Sequence, residues 1–114
     1  MSGDYLDEEP TRAAVDALPG ITLLQFGSPW CGHCQRAQPL IDAVAAAQPA
    51  LRHLKIFDGR GKPLGRSFRI KLWPTLIVLR DGMEVARVVR PQDDEAVGAA
   101  LAALDASMSG GSQR

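Results

Sequence analysis

No apolar run in this chain of 114 residues is long enough to cross a bilayer, neither sign of charge is in excess, and cysteine and histidine occur only twice each. The missing run excludes a membrane-spanning helix, which needs about 20 apolar residues. Thirteen Lys and Arg balance thirteen Asp and Glu, so no global field draws the chain to nucleic acid or to an anionic lipid surface. Neither partner is expected. Two cysteines build no disulfide framework, and Cys31 and Cys34 lie too close in sequence for the ring they close to add much stability. A chain of this length buries a core as one domain without such staples. With no second Cys pair, and with only His33 and His53 as further candidates, a structural zinc site lacks ligands, and no metal is expected. The glycine-rich stretch Asp58-Gly59-Arg60-Gly61-Lys62-Pro63 matches no phosphate-loop spacing and is read as a plain loop. The opening residues, Met1 to Glu9, carry four acidic side chains and have neither a basic nor an apolar segment, which argues against a secretory signal. The expected compartment is therefore the reducing cytoplasm, where a CxxC pair is redox-active rather than architectural. A trimmed form of an exported protein would read the same.

What the chain does hold is concentrated in Trp30-Cys31-Gly32-His33-Cys34. Two residues between the cysteines let them close a small disulfide ring if Cys31 sits at the mouth of a helix and Cys34 one turn in. A helix N-terminus stabilises the thiolate that attacks a disulfide. Cys31 is thus the candidate nucleophile, and Cys34, turned toward the body, the candidate resolving thiol.

The rest reads as scaffold for that pair. Residues 1–9 are expected to be a flexible segment, with Tyr5 and Leu6 able to cover an edge of the core. Pro10 suits the first turn of a helix that stops at Pro19-Gly20. Ile21 to Phe26 is apolar on both faces, as a central strand should be. A helix is predicted from Cys31 to about Gln48, with Ala37, Ile41, Val44 and Ala45 at core spacing and a kink at Pro39. Leu51 to Phe57 is predicted as a second buried strand, parallel to the first. A short helix over Leu64 to Phe68 follows, then Trp73-Pro74 and two β-rich runs joined by Asp81-Gly82, a hairpin signature. Asp93, Asp94 and Glu95 open a last helix whose buried stripe is Val97, Ala100, Leu101 and Leu104. Residues 10–106 form the domain, and 107–114 are expected to be a flexible tail.

This order, with Trp30-Cys31-Gly32-His33-Cys34, Pro39 inside the helix, Trp73-Pro74-Thr75 before a strand and the Asp81-Gly82 turn, resembles the thioredoxin family over about residues 11–105. The resemblance implies an α/β thioredoxin fold, a central mixed sheet of about four strands flanked by helices on both faces. It also implies a cis peptide bond before Pro74, placing Pro74 and Trp73 against the cysteines as a substrate platform whose backbone pairs with an extended chain. Trp30, Gly32 and Thr75 belong to the same groove, which two indoles would make broad and apolar.

Gly32-His33 between the cysteines resembles the protein disulfide isomerases, whereas reducing thioredoxins carry Gly-Pro. An imidazole beside Cys31 that is cationic or hydrogen-bonded would favour the reduced form and make the disulfide a better oxidant. At the position of the family's buried Asp stands Gln25, and its Lys partner aligns with Leu54. Gln25 can orient a water but cannot take a proton, so slow resolution is expected. The family's glycine near the groove aligns with Arg90, which would narrow substrate choice or favour acidic partners. The expected activity is that of a monomeric thiol–disulfide oxidoreductase, acting on protein disulfides without a bound cofactor and recharged by a thioredoxin reductase or glutathione system. The rival reading is a non-catalytic adaptor that holds a client near Trp30, Trp73 and Pro74.

Overall fold

The structure, a computed structural model, describes residues 5–112, with side chains through residue 104. The chain runs α1 (Arg12–Asp16), β1 (Ile21–Gly27), α2 (Gly32–Ala46), β2 (Leu51–Phe57), α3 (Pro63–Ser67), β3 (Thr75–Arg80), β4 (Met83–Val89) and α4 (Asp94–Ser112). The four strands form one mixed sheet in the order β2-β1-β3-β4. β1 pairs in parallel with β2 and antiparallel with β3, and β3 pairs antiparallel with β4.

Period-two alternation along the central strands sorts the core into two layers. Leu24 and Phe26 of β1 join Ile77 and Leu79 of β3, Val15 of α1, and Leu64 and Phe68 at α3. Leu23, Leu76 and Val78 face the other way, onto Ala37 and Ile41 of α2 and Val97, Leu101 and Leu104 of α4. Helices therefore cover both faces, as the apolar run of β1 requires.

Three departures from expectation have local causes. β2 is an edge strand, and of its residues only Ile56 is fully buried; its Arg52, His53 and Lys55 suit an edge and not the buried position expected for it. α1 starts at Arg12 because Thr11 caps it, its hydroxyl accepting from Ala14 N–H at 3.0 Å. α4 is helical to Ser112, past the start of the expected tail at 107, while residues 113–114 lie outside the described residues. Of the expected N-terminal segment, residues 1–4 also lie outside them. Leu6 N–H, by contrast, bonds Lys55 O at 2.9 Å, and Glu9 accepts from Leu64 N–H at 3.2 Å.

The Asp81-Gly82 turn has positive φ at both residues, 50° and 83°, as a two-residue hairpin demands. It also clasps the start of β1. Asp81 N–H donates to Gly20 O at 2.8 Å, and Gly20 N–H to the Asp81 carboxylate at 2.7 Å.

Candidate active site

β1 ends at Gly27 and hands the chain to Ser28-Pro29-Trp30, so that Cys31 becomes the N-cap of α2. Its Sγ accepts from the Cys34 N–H at 3.1 Å, the place a serine or aspartate oxygen takes in an ordinary cap. Both cysteines are free; Cys31 is half-exposed and Cys34 buried. α2 continues through Pro39 to Ala46 as a single helix.

The back of the site holds the buried sulfur, Cys34. At Gly27 a β-carbon would stand 2.6 Å from Cys34 Sγ and 3.0 Å from the Tyr5 hydroxyl oxygen, so only glycine leaves room for both. Burial is the main reason the Cys34 thiol is pushed up to about 11, with the neighbouring Cys31 sulfur adding to it; the Ser28 backbone and the Tyr5 hydroxyl pull the other way. Burial also raises Tyr5, so its hydroxyl stays a donor, held on Ser28 O at 3.2 Å. Lys55 Nζ lies 4.6 Å from the centre of the Tyr5 ring. These groups, with Pro29 and Gln38, border a cleft of about 560 Å³ that reaches Cys34 from behind. The sequence assigns Tyr5 only to an edge of the core. Nothing local signals its second role, because a chain segment 23 residues from Ser28 must fold back to create it.

Gln25 is fully buried. It exchanges two hydrogen bonds with Gln38 (2.6 and 3.2 Å), and Gln38 donates on to Asp42 at 2.8 Å. His53 Nε2 lies 2.8 Å from Gln25 Oε1, which assigns the proton to Nε2, and burial lowers the His53 pKa. Strand register places Lys55, not Leu54, beside Gln25. Leu54 instead joins the opposite core layer. Leu54 as the counterpart of the family's lysine is thus corrected: a one-residue offset in the α2–β2 connection moves a side chain to the other face.

At the front, the Trp73-Pro74 bond is cis. Pro74 and Thr75 are buried, and the Thr75 hydroxyl donates to Leu72 O at 2.6 Å. Trp73 is half-buried, and its indole N–H donates to the buried Asp58 carboxylate at 2.9 Å. Trp30 is 76% exposed and meets Phe57 edge-on at 5.4 Å. The two indoles have different partners, and among the described residues they share no ring contact.

Nor is the Trp73 backbone wholly free. Its carbonyl accepts from Arg90 Nε at 2.8 Å, while Arg90 N–H donates to Pro74 O at 2.9 Å. His33 is fully exposed, and the positive charge of Arg90, then that of Arg36, lowers its pKa. Its Nδ1 faces Arg36 Nη2 at 3.2 Å, an acceptor's position that only a neutral ring can fill. Of the two states expected for His33, cationic or hydrogen-bonded, this contact fits the second, and the positive charge beside it lies on the two arginines.

No described helix is long and apolar enough to cross a membrane, and the described residues contain no group of three or more metal-ligating side chains. A sequence model named Thioredoxin matches residues 5–103. Thioredoxin of Chlamydia pneumoniae is 39% identical over 77 residues, 67% of this chain and 74% of that protein. The solved structure of reduced thioredoxin 2 from Pseudomonas aeruginosa PAO1 is 52% identical and superposes with a TM-score of 0.79, covering 89% of this chain and 94% of that one. A mutant thioredoxin from Halobacterium salinarum is 30% identical, with a TM-score of 0.62 and 74% of each chain covered.

Proposed function

This chain belongs to the thioredoxin family of thiol–disulfide oxidoreductases, and from that premise we propose that it reduces protein disulfides, with Cys31 as nucleophile and Cys34 as resolving thiol. The observation that carries this reading is the asymmetry of the two free sulfurs, one at the accessible cap of α2 and one buried behind it.

Cys31 thiolate attacks one sulfur of the substrate disulfide, and the bond breaks to expel a substrate thiolate, which takes a proton from water. Cys34 then loses its proton and attacks Cys31 Sγ. The mixed disulfide breaks, the second substrate thiolate leaves, and the two electrons given up remain recorded as a Cys31–Cys34 disulfide. An external dithiol system, of the thioredoxin reductase or glutathione kind, restores the pair.

With its thiol pushed up to about 11, Cys34 is protonated at neutral pH, and Gln25 accepts no proton. Resolution is then the slow step, and the cleft beside Tyr5 and Lys55 is the way out for the proton. Pro74, Thr75, Gly32 and Trp30 make the substrate platform, with Trp73 lending its N–H while Arg90 holds its carbonyl. On the Gly32-His33 resemblance, the potential falls between about −270 mV, the thioredoxin value, and about −180 mV, the isomerase value. A monomer working in a reducing cytoplasm fits this chemistry.

Insulin reduction driven by dithiothreitol tests the reading. Wild type is expected to turn over, and Cys34→Ser to stall as a mixed disulfide. Tight client binding indifferent to both cysteines would replace the reductase with an adaptor. Equilibration with glutathione tests the potential, and a value at or below about −270 mV would remove that part.

A further inference from the structure

Two guanidinium groups border the front of the site with no carboxylate between them. Arg36, just inside α2, meets His33 Nδ1 at 3.2 Å, and a β-carbon on Gly32 would lie 3.4 Å from its Nη1. Arg90, just after β4, donates Nε to the Trp73 carbonyl at 2.8 Å. Both acceptors are uncharged. Among the described residues the ion pairs are Arg12 with Asp16 and Arg87 with Glu84, so neither Arg36 nor Arg90 has its charge matched. The two line one cleft of about 320 Å³ together with His33, Leu40, Pro74 and Gln92, and no acidic side chain borders it. Since the chain as a whole carries no net charge, this concentration is not the by-product of a basic protein.

The backbone makes the same point. Arg90 has φ of 50°, in the left-handed region that is strained for a side-chain-bearing residue and open to glycine. Such strain persists where the side chain brings something in return. Here it brings a guanidinium fixed by Nε on the substrate platform, with no acceptor among the described residues engaging its two Nη groups. A planar fork of that kind matches a carboxylate, as does the one on Arg36.

The geometry points to substrate selection by charge: the cleft takes the side chain of an Asp or Glu lying within a few residues of the attacked cysteine in a substrate protein, its carboxylate bridging Arg36 and Arg90. This rests on the reading that Cys31 and Cys34 exchange with protein disulfides. It gives that exchange a preferred class of client, one with an acidic residue flanking its disulfide. Lysine at the same substrate position is repelled by two like charges.

Three disulfide-closed peptides that differ only in one flanking residue, Glu, Gln or Lys, test it with dithiothreitol as electron donor. At low ionic strength kcat/KM is expected to fall in the order Glu, Gln, Lys, with Glu over Gln about fivefold, the span of a half-exposed charge pair. Added salt compresses the series. Arg36→Gln with Arg90→Gln brings the Glu to Gln ratio near one, and the double Lys variant restores part of it. A Glu to Gln ratio of one in wild type, with both peptides reduced, overturns the proposal, and so does a ratio that survives the double Gln variant in its folded form. Succinate that erases the Glu preference at concentrations comparable to the peptide reassigns the cleft to small free acids and overturns it too. Failure to reduce any of the three peptides sinks the reductase reading instead.

Discussion

The two sulfurs of the exchange site lie one helical turn apart and live in opposite surroundings. Around Cys31 the chain is open and positive, with Arg36 and Arg90 pressing on a neutral His33. Around Cys34 it is buried, and the cleft behind it is bordered by Gln38, the Tyr5 hydroxyl and Lys55, whose charge is directed over an aromatic ring. The front is built to meet a partner from outside. The back is built to keep a thiol protonated until it is needed. Difference in burial divides the labour between two chemically identical side chains.

The strongest way to break that division is to remove one sulfur at a time. Cys31→Ser is expected to lose insulin reduction by about a thousandfold or more, as loss of a nucleophile does. Cys34→Ser keeps the first attack and accumulates the mixed disulfide, which intact-mass spectrometry detects. Equal and complete loss of the first attack in both variants would erase the distinction.

Next in size is the missing base. Gln25→Asp, in register with Lys55, is expected to speed resolution of a preformed mixed disulfide roughly tenfold at neutral pH, short of the hundredfold or more of a well-placed base. Stopped-flow measurement of thiol release reads this directly, and an unchanged rate would acquit Gln25. Tyr5→Phe removes one hydroxyl and keeps the ring. Losing a donor to the departing charge on Cys34 should slow resolution about fivefold, the worth of one hydrogen bond, and move the pH–rate profile of that step upward. A slower rate with an unmoved profile would mark Tyr5 as mere support.

Smallest is the pH dependence of stability. Because the folded state raises Cys34 from the ordinary value of 9.0 to about 11, the folded protein holds that proton more tightly than the unfolded chain. This contribution is complete below about pH 9 and is lost as pH rises to about 11. Urea titrations should show reduced protein weakening across that window and oxidised protein, which lacks the thiol, weakening less. On the acid side, burial lowers His53 from 6.5, so the unfolded chain binds the proton first and stability falls as pH drops below about 6.5. His53→Gln should flatten that limb.

The element order was legible because each piece carries its own local signal. The apolar run of β1, the Asp81-Gly82 turn and the cysteines at the mouth of α2 depend on neighbours a few residues away. What escaped depends on register and return. Arg52, His53 and Lys55 mark β2 as an edge only once the strand order is known, and Lys55 faces Gln25 through a pairing that composition does not encode. Tyr5 reaches Cys34 by crossing over the β2 edge. Arg90 was visible as a residue standing where glycine is usual, but its bond to the Trp73 carbonyl was not. His33 was read as either cationic or hydrogen-bonded. Its two cationic neighbours, one of them 57 positions away in the chain, favour the second.

The clasp of Gly20 on Asp81 bears on the time the chain needs to fold. A β-hairpin such as β3–β4 closes in about 1–10 μs because its strands are adjacent. The clasp, like the β1–β3 pairing it seals, must bring together groups 61 residues apart, with α2, β2 and α3 strung between them. Its loop-closure entropy is due before any reward from contact. The central pair of the sheet, the most buried part of the molecule, is therefore expected to assemble late, and the exchange site at the far end of β1 to become competent only then.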